Sequence, residues 1–164
     1  MNTWFDTLRH LDAVSAQVAL VYPWFWPAVY GVIGLVFGSF MTCALYRVPR
    51  GESLWYPPSQ CPSCHTPLRA LDLIPVVSWV VFAGKCRHCG LSISAYYTLT
   101  ELVSTLLALG AWWVAGPTLR GLPLFGGVMC ILFVGVLAFK WRCVAWRTFI
   151  AAGVFVVLYA IWPI

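Results

Sequence analysis

The sequence predicts an all-α membrane protein: about four transmembrane helices interrupted by a single zinc-ribbon-like loop. Three observations carry that prediction. Hydrophobic residues make up 62% of the chain and charged residues 9%, with a mean hydropathy of +0.85. A chain of that kind lacks the polar surface to cover itself in water, so most of it should face a lipid bilayer. The apolar residues also fall into runs of span length, bounded by Pro, Gly and cations. Finally, four of the seven cysteines stand as CPSC (61–64) and CRHC (86–89), separated by 21 residues, inside the longest polar stretch.

At 164 residues the chain is one domain's worth of material, with a net charge of +5. No basic run interleaves with aromatics, so the cations read as determinants of membrane orientation, and no nucleic-acid partner is expected.

Residues 1–22 carry Trp4, Phe5, Leu8, Leu11 and Val18 at near-helical spacing, with Asp6, Arg9 and Asp12 between them. This pattern predicts an amphipathic helix at the membrane surface. It does not fit a signal peptide, because Asp6 balances Arg9 and no small-residue cleavage pattern follows. Pro23 and Pro27 then mark a helix entry, where the missing N–H has no intrahelical partner to lose.

The first span is expected from about Pro27 to Tyr46, 20 residues without a charge. That length matches a hydrocarbon core of roughly 30 Å. Gly31, Gly34, Gly38 and Ser39 form a small-residue stripe suited to close helix approach. Arg47, Pro49 and Arg50 end the span.

The loop occupies roughly 47–96. Between its cysteine pairs lies LIPVVSWVVFA (73–83), too short to span and broken by Pro75. It is expected to dip into the interface or pack on the helices, pinning the loop to the membrane. Further spans are expected at about 97–114, 122–139 and 148–162, with a turn at Gly116, Pro117 and Gly121. A basic turn holds Lys140, Arg142 and Arg147. This divides the chain into an N-terminal segment 1–22, a two-span domain 27–114 carrying the loop, and two further helices in 115–164. No internal repeat is visible.

Orientation follows from the cations. Successive segments outside the spans hold one, five, one, three and zero Lys or Arg. The positive-inside rule then puts the cysteine loop and the 140–147 turn in the cytoplasm.

There thiols stay reduced, which favours metal ligation by Cys61, Cys64, Cys86 and Cys89 over disulfides. Four thiolates suit a structural zinc, with a disulfide-linked loop second and a rubredoxin-like iron third. His65 and His88 adjoin the ligands; with four sulfurs present, their expected part, with Lys85 and Arg87, is to offset the charge of the centre. Cys43, Cys130 and Cys143 stand singly in or beside apolar segments and read as packing residues. A closed four-sulfur site leaves no position for water, so the metal is expected to fold the loop, not to catalyse.

These residues resemble the N-terminal domain of the bacterial type IV prepilin peptidases. The resemblance rests on GSFMTCALYRVP (38–49), CPSC, LDLIPVVSW (71–79), GKCRHC (84–89), and IS with YTLTEL (93–102), in order and spacing. It implies a multi-pass protein of the bacterial inner membrane with a zinc-bearing cytoplasmic loop. It also implies work on prepilins: leader cleavage and S-adenosylmethionine-dependent N-methylation, serving type IV pili and type II secretion.

The family's catalytic aspartates lie in a downstream half, one of them in a Gly-x-Gly-Asp motif, whereas no Asp or Glu follows Glu101 here. An aspartic protease needs two carboxylates sharing a proton. The expectation is therefore a chain without its own protease site, working with prepilin or a separate peptidase half. A non-catalytic, zinc-stabilised membrane scaffold or pseudoenzyme is the alternative. The family commonly has Asn, Arg and Pro where Thr42, Tyr96 and Thr98 stand, which removes polar groups from around Glu101 and Arg47.

Catalytic residues stay unassigned at this stage; Glu101, Arg47 and Asp72 are weak candidates. A carboxylate at the centre of a span costs roughly 2.5–3.5 kcal/mol. The cost is less near a span end, where Glu101 could instead reach water at the interface; the match to the family's motif is what favours an inward Glu101 paired with Arg47 or a substrate amine.

Overall fold

The computed structural model describes residues 3–141 and 146–161. Among the described residues six α-helices follow one another: α1 (Thr3–Val21), α2 (Phe25–Arg47), α3 (Val77–Val81), α4 (Tyr96–Ala115), α5 (Gly121–Trp141) and α6 (Trp146–Ile161). Two 3-10 turns, Val48–Arg50 and Ala70–Leu73, lie in the loop between α2 and α4. No strand forms among the described residues; Gln60 with Pro67 and Lys85 with Ser92 make isolated antiparallel bridges. The all-helical class read from the sequence therefore holds.

The sequence predicts about four crossings. Among the described residues, three helices are long and apolar enough to cross a membrane: Phe25–Arg50, Tyr96–Ala115 and Gly121–Ala138. The 16 residues of α6 reach about 24 Å, short of a hydrocarbon core of roughly 30 Å. The fourth span expected at 148–162 and the basic turn with Lys140, Arg142 and Arg147 lie partly outside the described residues, as does Cys143.

The chain forms two compact units, Met1–Gly34 with Thr105–Ile164, and Leu35–Ser104. In the first, Tyr30 and Ala108 are fully buried, with Phe125, Met129, Val134 and Leu137 of α5. The Tyr30 hydroxyl donates to the Thr118 carbonyl at 2.8 Å. Gly121 is small because a Cβ there would meet Tyr30 Oη at 2.6 Å. On α5, Gly126 lets the Phe155 ring of α6 approach to 2.8 Å from where a Cβ would stand.

The expected N-terminal helix is present, but its buried point is polar. Ser15 is buried and accepts the Trp26 indole N–H on its carbonyl, while Leu11 is 42% exposed. The side chains of Trp4 and Phe5 lie outside the described residues.

In the second unit, Leu35–Arg47 of α2 meets the first half of α4. Only Gly38 of the expected stripe is shown at that contact. A Cβ there would lie 2.6 Å from Glu101 Cα and 3.0 Å from Ser104 Cβ, while a Cβ at Gly31 would meet nothing within 4 Å.

Candidate functional site

Each cysteine pair sits on a tight turn, and the two turns are copies. In the first, Cys61 N–H donates to the Thr66 carbonyl (3.0 Å) and His65 N–H to the Cys61 carbonyl (2.9 Å). In the second, Cys86 N–H donates to the Leu91 carbonyl (2.9 Å) and Gly90 N–H to the Cys86 carbonyl (2.9 Å). Each is closed by its bridge, and each places the residue after its second cysteine in the left-handed region: His65 at φ 54° and Gly90 at φ 72°. Glycine adopts that conformation freely; histidine tolerates it better than most side chains. The two turns share their backbone bonding but little sequence beyond the cysteines, in keeping with a sequence that shows no internal repeat.

The turns bring the four sulfurs of Cys61, Cys64, Cys86 and Cys89 within 4.8 Å of one another, and Cys61 and Cys89 lie 3.9 Å apart. Four sulfurs bound at about 2.3 Å to one tetrahedral ion stand about 3.8 Å apart, so the donor set fits a single metal ion. Cys61 and Cys86 are buried, Cys64 is half-buried and Cys89 is exposed.

The turns set the four thiols unequally. The hydroxyl and backbone N–H of Thr66 pull Cys64 down to about 6. The Cys89 and His88 amides lower Cys86. The Leu91 amide favours ionised Cys89, but desolvation and the three neighbouring sulfurs outweigh it and push that thiol up to about 11. Sulfurs that compete for ionisation when metal-free are what a shared cation relieves.

The segment between the turns fastens the loop. Asp72 accepts the Arg69 N–H through Oδ2 (3.0 Å) and pairs with Arg87 Nη1 through Oδ1 (3.4 Å). Arg87 stands between two of the cysteines, so this pair ties the 70–73 turn to the second cysteine turn. Trp79 of α3 donates its indole N–H to the Ile93 carbonyl at 3.1 Å. Its ring lies against Gly84, where a Cβ would come within 2.9 Å. Gly84 (φ 67°) in turn accepts the Ile93 N–H at 2.7 Å.

Beside the cysteines is a cavity of about 360 Å³, within the size range of small-molecule sites. Its lining includes Arg47, Asp72 and Glu101 together with Cys61 and Cys86, so the three weak catalytic candidates do converge on one place. Arg47 is 8% exposed; its Nη1 donates to the Ser53 carbonyl (2.8 Å) and its Nη2 to the Pro57 carbonyl (2.6 Å). This braces the irregular start of the loop. Glu101 is 7% exposed, and its Oε2 accepts the backbone N–H of Val76 at 2.8 Å. Sequence reasoning foresaw an inward Glu101 but not this partner.

Val76 itself is unusual, with φ 62° and ψ −50°. Its neighbours close a three-residue turn, Val77 N–H donating to the Pro75 carbonyl at 2.6 Å. A β-branched residue in that conformation is strained. No sequence signal beyond Pro75 marks it.

His65 and His88 are exposed on the cavity rim, as are Lys85 and Arg87. Thr42 and Thr98, both buried, also line the cavity, as does Cys43, which sequence reading had assigned to packing alone.

The geometry can be set beside known proteins. A family profile described as Bacterial Peptidase A24 N-terminal domain matches residues 32–115. Three similar relatives each bear the name prepilin leader peptidase/N-methyltransferase. That of Pectobacterium carotovorum subsp. carotovorum is 32% identical, covering 74% of this chain and 50% of its own. That of Klebsiella pneumoniae is 33% identical, covering 77% and 57%. That of Dickeya chrysanthemi is 34% identical, covering 76% and 51%. The chain spans about half the length of these curated relatives. No solved structure matches it. With its cysteine turns, cavity and buried Glu101 all inside the matched region, the chain belongs to the bacterial peptidase A24 N-terminal domain family.

Proposed function

We propose that this chain acts in prepilin or pseudopilin processing or N-methylation at the bacterial inner membrane, alongside a separate partner that supplies the aspartic protease chemistry. The observation that carries this reading is the cavity. It is bounded by the loop-side ends of α2 and α4 and by the cysteine turns, and its lining, Ser39 to Glu101, lies wholly within the stretch that matches the family, 32–115. In this reading the metal is zinc, held by Cys61, Cys64, Cys86 and Cys89 in a structural role. The loop faces the cytoplasm, as its five Lys and Arg favour.

The face of α3 supports an interfacial loop. Val77, Val80 and Val81, spaced i, i+3 and i+4, are 52–67% exposed, while Ser78 and Trp79 line the cavity. A helix that turns valines outward and serine inward suits an apolar surrounding. Arg69, Lys85 and Arg87 flank it, where they can meet anionic headgroups.

S-adenosylmethionine, when bound, would supply an electrophilic methyl group. The cavity's carboxylates (Glu52, Asp72, Glu101) and rings (Tyr46, Trp79, Tyr97) would hold its sulfonium, and the cations Arg47, Lys85 and Arg87 in the same lining its carboxylate. The test is to titrate S-adenosylmethionine into the purified protein with and without a processed pilin peptide. Binding with methyl transfer supports the enzyme reading. Association with prepilin or with a peptidase half, without methyl transfer, supports the non-catalytic scaffold. Cleavage of intact prepilin by this chain alone, abolished by Asp72→Asn, overturns both.

A further inference from the structure

The one carboxylate shown on a buried stretch of α4 is joined to the most strained backbone in the loop. Val76 holds φ 62° and ψ −50°, a conformation that glycine adopts with ease and valine resists. Its N–H points at Glu101 Oε2, 2.8 Å away. A hydrogen bond to a charged group is among the stronger kinds, so Glu101 can offset the strain that the turn stores.

The turn sits at the start of α3, which carries Trp79 two residues on. The Trp79 carbonyl accepts the Gly84 N–H (2.7 Å), and its indole bonds the Ile93 carbonyl. Gly84 and Ile93 are the two ends of the second cysteine turn, which holds Cys86 and Cys89. A continuous run of contacts thus leads from α4 to the metal ligands, and the hydrogen bond between Glu101 and Val76 is its first link. At the other end, Glu101 cannot shift towards α2, because its Cα lies against Gly38.

We propose that Glu101 is a positioning residue: it holds Val76 in its strained three-residue turn and thereby sets α3, Trp79 and the second cysteine turn. This rests on the reading of the cysteines as a metal site only for its metal readout. Its structural readout is independent of any metal.

The test uses the full chain in lipid nanodiscs. Hydrogen exchange is followed over 84–93, with release of zinc to a chelator measured in parallel. Glu101→Ala should speed both by about 10- to 100-fold, the range set by losing a hydrogen bond to a charged group. Glu101→Gln keeps an acceptor oxygen and should retain most of the protection. The deciding variant is Glu101→Ala combined with Val76→Gly. Glycine needs no help at this φ, so protection over 84–93 should return towards the wild-type level.

Glu101→Ala behaving as wild type would overturn the proposal, as would fast exchange that Val76→Gly fails to slow. If the protein binds no zinc but exchange follows the expected order, the metal reading fails and the positioning role stands.

Discussion

Gly38→Ala is the substitution whose outcome the packing of α2 on α4 determines most narrowly. An added methyl group would sit 2.6 Å from Glu101 Cα, 3.0 Å from Ser104 Cβ and 3.1 Å from the Thr100 carbonyl oxygen. Two of these three atoms are backbone, so no side chain can swing clear. Restoring an ordinary contact of 3.4 Å to Glu101 requires the helices to part by about 0.8 Å there, in an interior packed to crystal-like density. Overpacking of this kind costs about 1–3 kcal/mol. Gly31→Ala is the control in the same helix: its methyl would meet nothing within 4 Å. Replacing a mid-helix glycine in open space stabilises by roughly 0.5–1 kcal/mol. The two variants should therefore differ in sign as well as size. Reversible unfolding in mixed micelles, with both variants measured against wild type, reads this directly. Equal effects, or a neutral Gly38→Ala, would refute the close approach of α2 and α4 at Glu101.

Other expectations follow from the loop. Trp79→Phe keeps a ring over Gly84 but loses the bond to Ile93, and should destabilise the loop by about 1 kcal/mol, seen as faster exchange of the 84–93 amides. The two cysteine turns should answer oppositely to matched changes. His65→Gly relieves a left-handed histidine and should be neutral to mildly stabilising, while Gly90→Ala should cost about 1 kcal/mol in thermal unfolding. A fluorophore on Val80→Cys in nanodiscs should be quenched by spin-labelled lipid and shielded from aqueous iodide. Free access of iodide would place the α3 valines in water or leave them for a protein partner.

The cysteines, the three main spans and the inward Glu101 were legible because each is announced by composition or short-range spacing. Two thiols at Cys-x-x-Cys spacing can reach one ion wherever the loop goes, so Cys61, Cys64, Cys86 and Cys89 could be paired without knowing the fold. The glycine stripe was only half informative. Spacing shows which residues share a helix face but not which face meets a neighbour, and Gly31 faces open space while Gly38 meets α4. The partners of Arg47 and Glu101 were not legible. Opposite charges invite pairing on paper, but both groups also take backbone partners: Arg47 donates to carbonyls and Glu101 accepts from an amide. Such bonds depend on where the chain turns, and backbone amides carry no sequence signature. The doubled cysteine turn escaped for the same reason, since His65 and Gly90 share a backbone conformation and not a side chain.

The account stands most directly on the sulfur cluster. Metal content per chain, measured on protein purified reduced and without added metal, is the measurement that tests it. One zinc per chain in the wild type is predicted. Cys61→Ser with Cys64→Ser should lose that zinc, together with the slow exchange of both cysteine turns. A metal-free wild type with both turns fully protected, or Cys61 joined to Cys89 as a disulfide, would contradict it.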